Sequence, residues 1–259
     1  MIDRYHRKIR KTQSKRDHPT LQYIPTHSNK CVISLGINNP QSPSGHPRII
    51  SQNFIKGIQR IKEGLIRTNF SGQFLHWCDD YPIGSPKHWE VPFAFKPYCF
   101  QEALNQNFQL ILWLDSSIKI KQPIEPLFEL IKKDGYLIFQ EDHSVGEYCS
   151  DAALKTLSIL REESFKIQSC WSCVLGLNLQ TIIAREFLKI WKEKASDGVT
   201  FPGAKWGKVS EDKRVKGHRY DQTAASVIAL QLNMNHWKNK TFFENFFEND
   251  RSYVRCLDE

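Results

Sequence analysis

The segment Leu110-Ile111-Leu112-Trp113-Leu114-Asp115-Ser116-Ser117 decides how this chain is read. An unbroken apolar run ends there in one acid and two hydroxyls. A run that short, bounded by polar residues, reads as a strand buried on both faces, as in a parallel sheet covered by helices. Ligands of open α/β sheets sit beyond the carboxyl ends of such strands. Asp115 therefore stands where a metal ion or a phosphate-bearing substrate would be handled.

The flanking sequence repeats the pattern. Residues 31–35 read as a first strand broken by Gly36, and the Asn-, Pro- and Ser-rich stretch that follows reads as a loop. A helix over 51–66 carries Phe54, Ile55, Ile58, Ile61 and Leu65 on one face. Residues 74–77 form a second strand ending at Asp79-Asp80, and a helix starts near Pro97. Downstream, Pro123 opens a helix that Gly135 stops, and 136–139 form a strand ending at Glu141-Asp142-His143. A further helix spans 152–160, and 173–177 form the next strand. Asn178 is the expected N-cap of an amphipathic helix carrying Ile182, Ile183, Phe187, Ile190 and Trp191. Residues 198–217 read as loop, and a last clear helix begins near Asp221. The closing aromatics Trp237, Phe242, Phe243, Phe246 and Phe247 are too apolar to be free in water and should pack on the body. The alternation predicts an α/β domain with a mainly parallel central sheet flanked by helices.

Composition sets the outer bounds. The 259 residues carry a net charge of +8, of which residues 1–16 hold +6. The basicity is thus mainly a tail, expected to be flexible over residues 1–29, ahead of one domain over 30–259. Such a tail suits contact with an anionic membrane surface. The body lacks the interleaved aromatic and basic pattern of RNA and single-strand binders, which argues against nucleic acid. No stretch approaches the about 20 apolar residues of a membrane span, and no hydrophobic segment follows the N-terminal charges. Seven cysteines, odd in number and scattered, argue against a disulfide framework. A cytoplasmic protein, peripheral at most to the membrane's cytoplasmic face, is the expectation. Cys170-Trp171-Ser172-Cys173 has C-x-x-C spacing but no second pair at zinc-site distance, so both thiols read as buried and free.

Several polar groups cluster beyond the strand ends. A carboxylate and a hydroxyl at positions 115 and 117 suit a hard cation such as Mg²⁺ or Mn²⁺, which bridges to substrate phosphates. The same residues also suit a turn cap after a buried strand. Asp221 is either an N-cap or a general base, and Glu141 and Asp142 are competing carboxylates for the base role. Lys205, Lys208, Lys213, Arg214 and Lys216 either form a solvated loop or close over a diphosphate. There is no G-x-G-x-x-G after a strand, which sets a dinucleotide enzyme aside.

Three segments carry a family resemblance: Phe95-Lys96-Pro97-Tyr98 with Leu112–Ser117, Val174–Leu177 with its Gly176, and His218-Arg219-Tyr220-Asp221-Gln222. They resemble nucleotide-sugar glycosyltransferases of the GT-A fold, which carry a D-x-D motif at the end of a central strand. The resemblance spans about residues 30–232 in order of elements, and implies a GT-A-like domain moving a sugar from a nucleoside-diphosphate sugar to a hydroxyl acceptor on a glycan, lipid or protein. Ser117 stands where the family has its second Asp. The resemblance implies Asp115, Ser117 and a late histidine, His236 (or His143 or His218), as metal ligands. It implies Gly36, Asn38, Asp79, Asp80, Lys96, Trp113, Ser116, Gly176, His218 and Gln222 as donor contacts. The missing second Asp and the basic tail leave one other reading open: a catalytically silent GT-A-like scaffold whose tail binds nucleic acid or anionic membrane.

Overall fold

The structure, a computed structural model, describes residues 29–38, 53–203, 207–236 and 240–251. The expected tail, except Asn29, lies outside them, as do Lys205 and Trp237. Five strands form the central sheet: β1 (Lys30–Gly36), β2 (Gln73–Cys78), β3 (Leu110–Leu114), β5 (Tyr136–Ser144) and β6 (Gln168–Asn178), in the order β2-β1-β3-β6-β5. β1 pairs in parallel with β2 and β3, while β6 is antiparallel to both β3 and β5. Four strands therefore run one way and β6 alone is reversed. The sheet is mainly parallel, as expected. The reversal arises because the connection from β5 to β6 leaves and re-enters the sheet at the same end, with α4 (Asp151–Thr156) and α5 (Arg161–Ser164) in between.

All five residues of β3 are buried, because helices cover both sheet faces. One layer holds α2 (Phe95–Asn105), α6 (Ile182–Ser196) and α7 (Tyr220–Gln231), packed through Phe100, Phe187, Trp191 and Ile228 onto Ile33, Ile111 and Leu175. The other holds α1 (Phe54–Arg67), α3 (Glu125–Asp134) and α8 (Lys240–Phe246), packed through Ile58, Ile61, Phe128 and Phe243 onto Val32, Leu112 and Val174. This three-layer arrangement follows from a sheet that is apolar on both faces. Among the described residues, no helix is long and apolar enough to cross a membrane.

Local chemistry explains the boundaries. The Asn53 side chain accepts from the Lys56 N–H and so starts α1. Gly135, at φ +87°, ends α3 in the left-handed region that glycine enters without strain. Thr181, not Asn178, caps α6, through a bond from the Ala184 N–H; the Asn178 side chain accepts from Gln180 instead. β6 is eleven residues long: it contains the expected 173–177 run but begins five residues earlier, at Gln168, and so also includes Cys170. Its ladder with β5 carries the polar residues that precede the run. Burial pushes the Cys170 thiol up to about 12, in keeping with free, unreactive cysteines. The closing aromatics do pack: Phe243 stands edge-on to Trp171 at 4.4 Å, and Phe247 is buried in β7 (Phe247–Asn249). β7 pairs antiparallel with β4 (Ile118–Ile120), immediately after the Asp115 turn.

Gly176 is a packing residue, not a donor contact. A Cβ there would come within 2.4 Å of Ile131 Cδ1, so the glycine lets α3 approach β6. Gly176→Ala should lower stability by about 1–3 kcal/mol through overpacking. Urea unfolding should show an earlier midpoint, partly recovered when Ile131→Val is added; an unchanged midpoint contradicts the account.

Candidate functional site

The carboxyl ends of β1, β2, β3 and β5 meet at one edge of the sheet, where β6 begins. Lys96 lies under that edge, in the first turn of α2, with 1% of its side chain exposed. Its Nζ is 3.0 Å from Asp115 Oδ1 and 2.8 Å from Asp221 Oδ2, and donates to the Ser172 carbonyl at 2.9 Å. Two carboxylates and one carbonyl thus surround the ammonium. Burial opposes the Lys96 charge, but the two carboxylates outweigh it and hold the pKa above the ordinary lysine value. Asp115, just past β3, also accepts from Trp113 Nε1 at 2.7 Å and keeps 29% of its side chain exposed. Asp221, in the first turn of α7, is 5% exposed; burial pushes its carboxyl up while Lys96 pulls it down.

Two strained residues frame this group. Phe93 (φ +60°) and Tyr220 (φ +34°) both lie in the left-handed region, and their rings stack at 5.7 Å. Phe93 also lies under the Lys96 ammonium, 5.3 Å away, and Tyr220 immediately precedes Asp221. Strain of this kind persists where the surroundings over-determine it, and it clusters at functional sites. Neither residue carries a local sequence signal.

A second group lies at the start of α7 and the end of β5. Glu141 Oε1 is 3.7 Å from His143 Nε2, and that nitrogen is 3.5 Å from Gln222 Nε2. The His143 ring packs on Tyr148 at 4.6 Å, and the Arg219 guanidinium covers the Tyr148 ring at 4.7 Å. Burial pushes the Glu141 carboxyl up to about 7, against the pull of Arg219. A carboxyl poised there can exchange a proton at neutral pH. Arg219 and Tyr148 were not anticipated as site residues, although Arg219 lies within the His218–Gln222 motif.

Several sequence expectations need correcting. Asp221 is sealed against Lys96 and does not reach an acceptor, and Asp142 is 85% exposed beside Lys240, so Glu141 is the remaining base candidate. The Lys96 ammonium is buried between two carboxylates and is not open to a phosphate. Trp113 is buried in the core and offers its N–H to Asp115. His218 is fully buried: its Nδ1 accepts from Ser150 N–H and its Nε2 lies 2.9 Å from the Thr200 carbonyl, while burial pushes it down to about 4. Asn38 caps α1 by accepting from Phe54 N–H at 2.7 Å, and Gly36 leaves room for the same helix end, since a Cβ would meet the Phe54 carbonyl at 2.8 Å. Ser116 is buried in the turn. Asp79 and Asp80 stay exposed at the end of β2; Asp79 accepts from Asn38 N–H at 2.6 Å and Asp80 from Tyr81 N–H at 2.8 Å. Three of the loop cations face carboxylates: Arg214 toward Glu162 and Asp212, Lys216 toward Glu147 and Lys208 toward Glu211.

The implied metal ligands do not form a donor set for Mg²⁺ or Mn²⁺. Ser117 Oγ donates to Asn249 Oδ1 at 2.9 Å, and one Asp115 oxygen is held by Trp113 and Lys96. His236 lines a cleft of about 560 Å³ with Gln140, Ser226, Leu230 and Met234. Among the described residues, no three His, Cys, Asp or Glu side chains converge to hold a metal ion.

Replacing Lys96 by Met should destabilise the chain by about 3–5 kcal/mol, because two carboxylates would be left without their counter-charge. The Asp221 carboxyl would then titrate still higher in the folded chain than in the unfolded one. The unfolded chain loses that proton first, so the deficit should grow as pH rises from 4 to 7. Denaturant melts across that range test this, and adding Asp221→Asn should restore part of the loss; a deficit that does not vary with pH rules the account out.

No family model and no curated protein matches the chain. Among solved structures, it is similar to a glycosyltransferase involved in glycosylating the major capsid of PBCV-1, at 14% identity and a TM-score of 0.37, over 65% of this chain and 67% of that one. It is also similar to mouse xyloside xylosyltransferase 1, at 14% identity and a TM-score of 0.39, over 81% and 84% of the two chains. A third, the bifunctional glycosyltransferase WbbM, shares 12% identity at a TM-score of 0.37; 91% of this chain aligns with about half of that one (51%).

Proposed function

We propose that the chain transfers a sugar from a nucleoside-diphosphate sugar to a hydroxyl acceptor, at the carboxyl edge of the central sheet. One observation carries this reading. The Asp115 carboxylate is locked at the end of β3 by Trp113 and Lys96, and is still 29% exposed to a ligand. A carboxylate so fixed can accept donor-sugar hydroxyls and favour the positive charge that develops at the anomeric carbon. Glu141 is the group that takes the acceptor's proton, with His143 and Gln222 beside it. Lys96 and Asp221 act as positioning residues that fix Asp115 and the start of α7. The runner-up, a catalytically silent scaffold, draws on Ser117 being engaged by Asn249 where an open ligand would be needed.

The test is a thermal-shift panel of UDP-, GDP-, CMP- and dTDP-sugars, with and without Mn²⁺. A donor present at a hundred times its dissociation constant adds about 2.7 kcal/mol of stability, so a true donor should raise Tm. No shift and no turnover with any of them would leave the silent scaffold. Asp115→Asn should abolish turnover of the donor found, with the fold retained. Turnover should also rise with pH near 7, as Glu141 loses its proton and becomes a competent base. Glu141→Gln should remove that limb and slow turnover by about 10²–10⁴-fold; a pH profile that keeps the limb takes Glu141 out of the mechanism.

A further inference from the structure

β5 is the outermost strand of the sheet, and its ladder with β6 breaks near its end. Gln140 pairs with Cys170 and the next pair is Ser144 with Gln168, so Glu141, Asp142 and His143 bulge out of register. The Gln168 side chain spans the gap, its Nε2 donating to the carbonyls of Glu141 and His143. Bulges of this kind re-aim side chains beside functional sites. Gln168 and Gln140 also line the cleft of about 560 Å³ that reaches His236. Ser226, on the α7 wall of that cleft, lies one helical turn, about 6 Å, beyond Gln222. The cleft therefore begins one residue from Glu141 and follows α7 away from the carboxyl edge.

The lining has the makeup of a ligand site. Pockets of about 300–1,000 Å³ hold small organic ligands, on apolar walls with a few polar groups that fix orientation. Ile167, Leu230 and Met234 supply apolar wall here, and Leu230 is 50% exposed. Among the described residues, the side chains of Gln140, Lys166, Asn235 and His236 make no hydrogen bond or ion pair, although all four line the cleft. Two carboxamides and an imidazole each offer both a donor and an acceptor. Sugar hydroxyls do the same, and the C–H face of a sugar ring matches the apolar wall. Lys166 and Glu163 offset each other in charge, and burial pulls His236 below the ordinary histidine range, so it is uncharged at neutral pH. We propose that this cleft is the acceptor subsite and that the acceptor is an uncharged oligosaccharide, whose terminal sugar passes Gln140 to reach Glu141; this rests on the sugar-transfer reading, with Glu141 as base. The acceptor oxygen bonds to the anomeric carbon, the bond from that carbon to the diphosphate breaks, and the hydroxyl proton passes to Glu141. A phosphate- or lipid-bearing acceptor would call for surplus cations or an unbroken apolar wall; the described lining is instead mixed and balanced in charge.

The probe is an array of uncharged oligosaccharides screened with the labelled full chain, and the strongest binder is then titrated calorimetrically. Its affinity should fall about five- to tenfold in Gln140→Ala and in His236→Ala, the loss of a hydrogen bond or two. Melting temperature should hold in both, since neither side chain makes a hydrogen bond among the described residues. Lys208→Gln, outside the cleft lining and paired with Glu211, should change the affinity by less than about twofold. Raising salt to about 0.5 M should leave it unchanged, as expected of an uncharged ligand. No binder on the array, an affinity indifferent to Gln140→Ala and His236→Ala, or one that collapses in salt each overturns the proposal. A nucleotide sugar that raises Tm while no saccharide binds removes the acceptor subsite alone and leaves the sugar-transfer reading standing. A saccharide that binds through Gln140 and His236 while no nucleotide sugar raises Tm removes that reading, and the acceptor role with it.

Discussion

The ammonium of Lys96 is buried among Phe93, Trp113, Asp115, Asp221 and Ser172, and the rest of the site is arranged around it. Taking an ion out of water costs several kcal/mol even after relaxation, so the charge is tolerable only if every donor is matched. The ammonium comes from α2, and its partners from the turn after β3, the start of α7 and the middle of β6. Four elements remote in sequence are thereby held in one geometry. Trp113 adds an independent donor to the same Asp115 oxygen, so that carboxylate is held from two sides.

That arrangement divides the carboxyl groups by environment. Asp221 is buried against the ammonium and fills a structural role. Glu141 lies at the rim, where burial outweighs the pull of Arg219 and pushes its carboxyl up to about 7. Groups of one chemical type set apart in this way are the usual basis for separate roles in a single site. The left-handed Phe93 and Tyr220, stacked on each other with Phe93 against the ammonium, show that local backbone preference gives way to this geometry.

The reversed strand and the C-terminal segment complete the edge. β6 enters the sheet antiparallel and brings Ser172 and Cys173 beside Asp115. β7 returns from the far end of the sequence to pair with β4, and Asn249 and Asp250 then close on Ser117. The rim is therefore built from segments more than a hundred residues apart, and charge placement there depends on tertiary contacts.

Much of the fold was legible in residue order. The apolar run 110–114, the glycine stop at 135, the amphipathic face of α1 and the aromatic tail each follow from short-range periodicity or capping chemistry, and the structure contains all of them. The sequence also pointed to Asp115 and Glu141 as exposed or poised carboxylates at strand ends. It did not separate them from Lys96, Trp113, His218, Gly176 and Asn38, which also read as site residues but are consumed by packing, capping and pairing. Nor did it show that β6 runs backwards or that Ser117 meets Asn249. Periodicity reports which side of an element is buried, whereas the partner of a buried polar atom is set by contacts across tens to hundreds of residues. Only the folded chain fixes those contacts, and here they decide which polar groups remain available to a substrate.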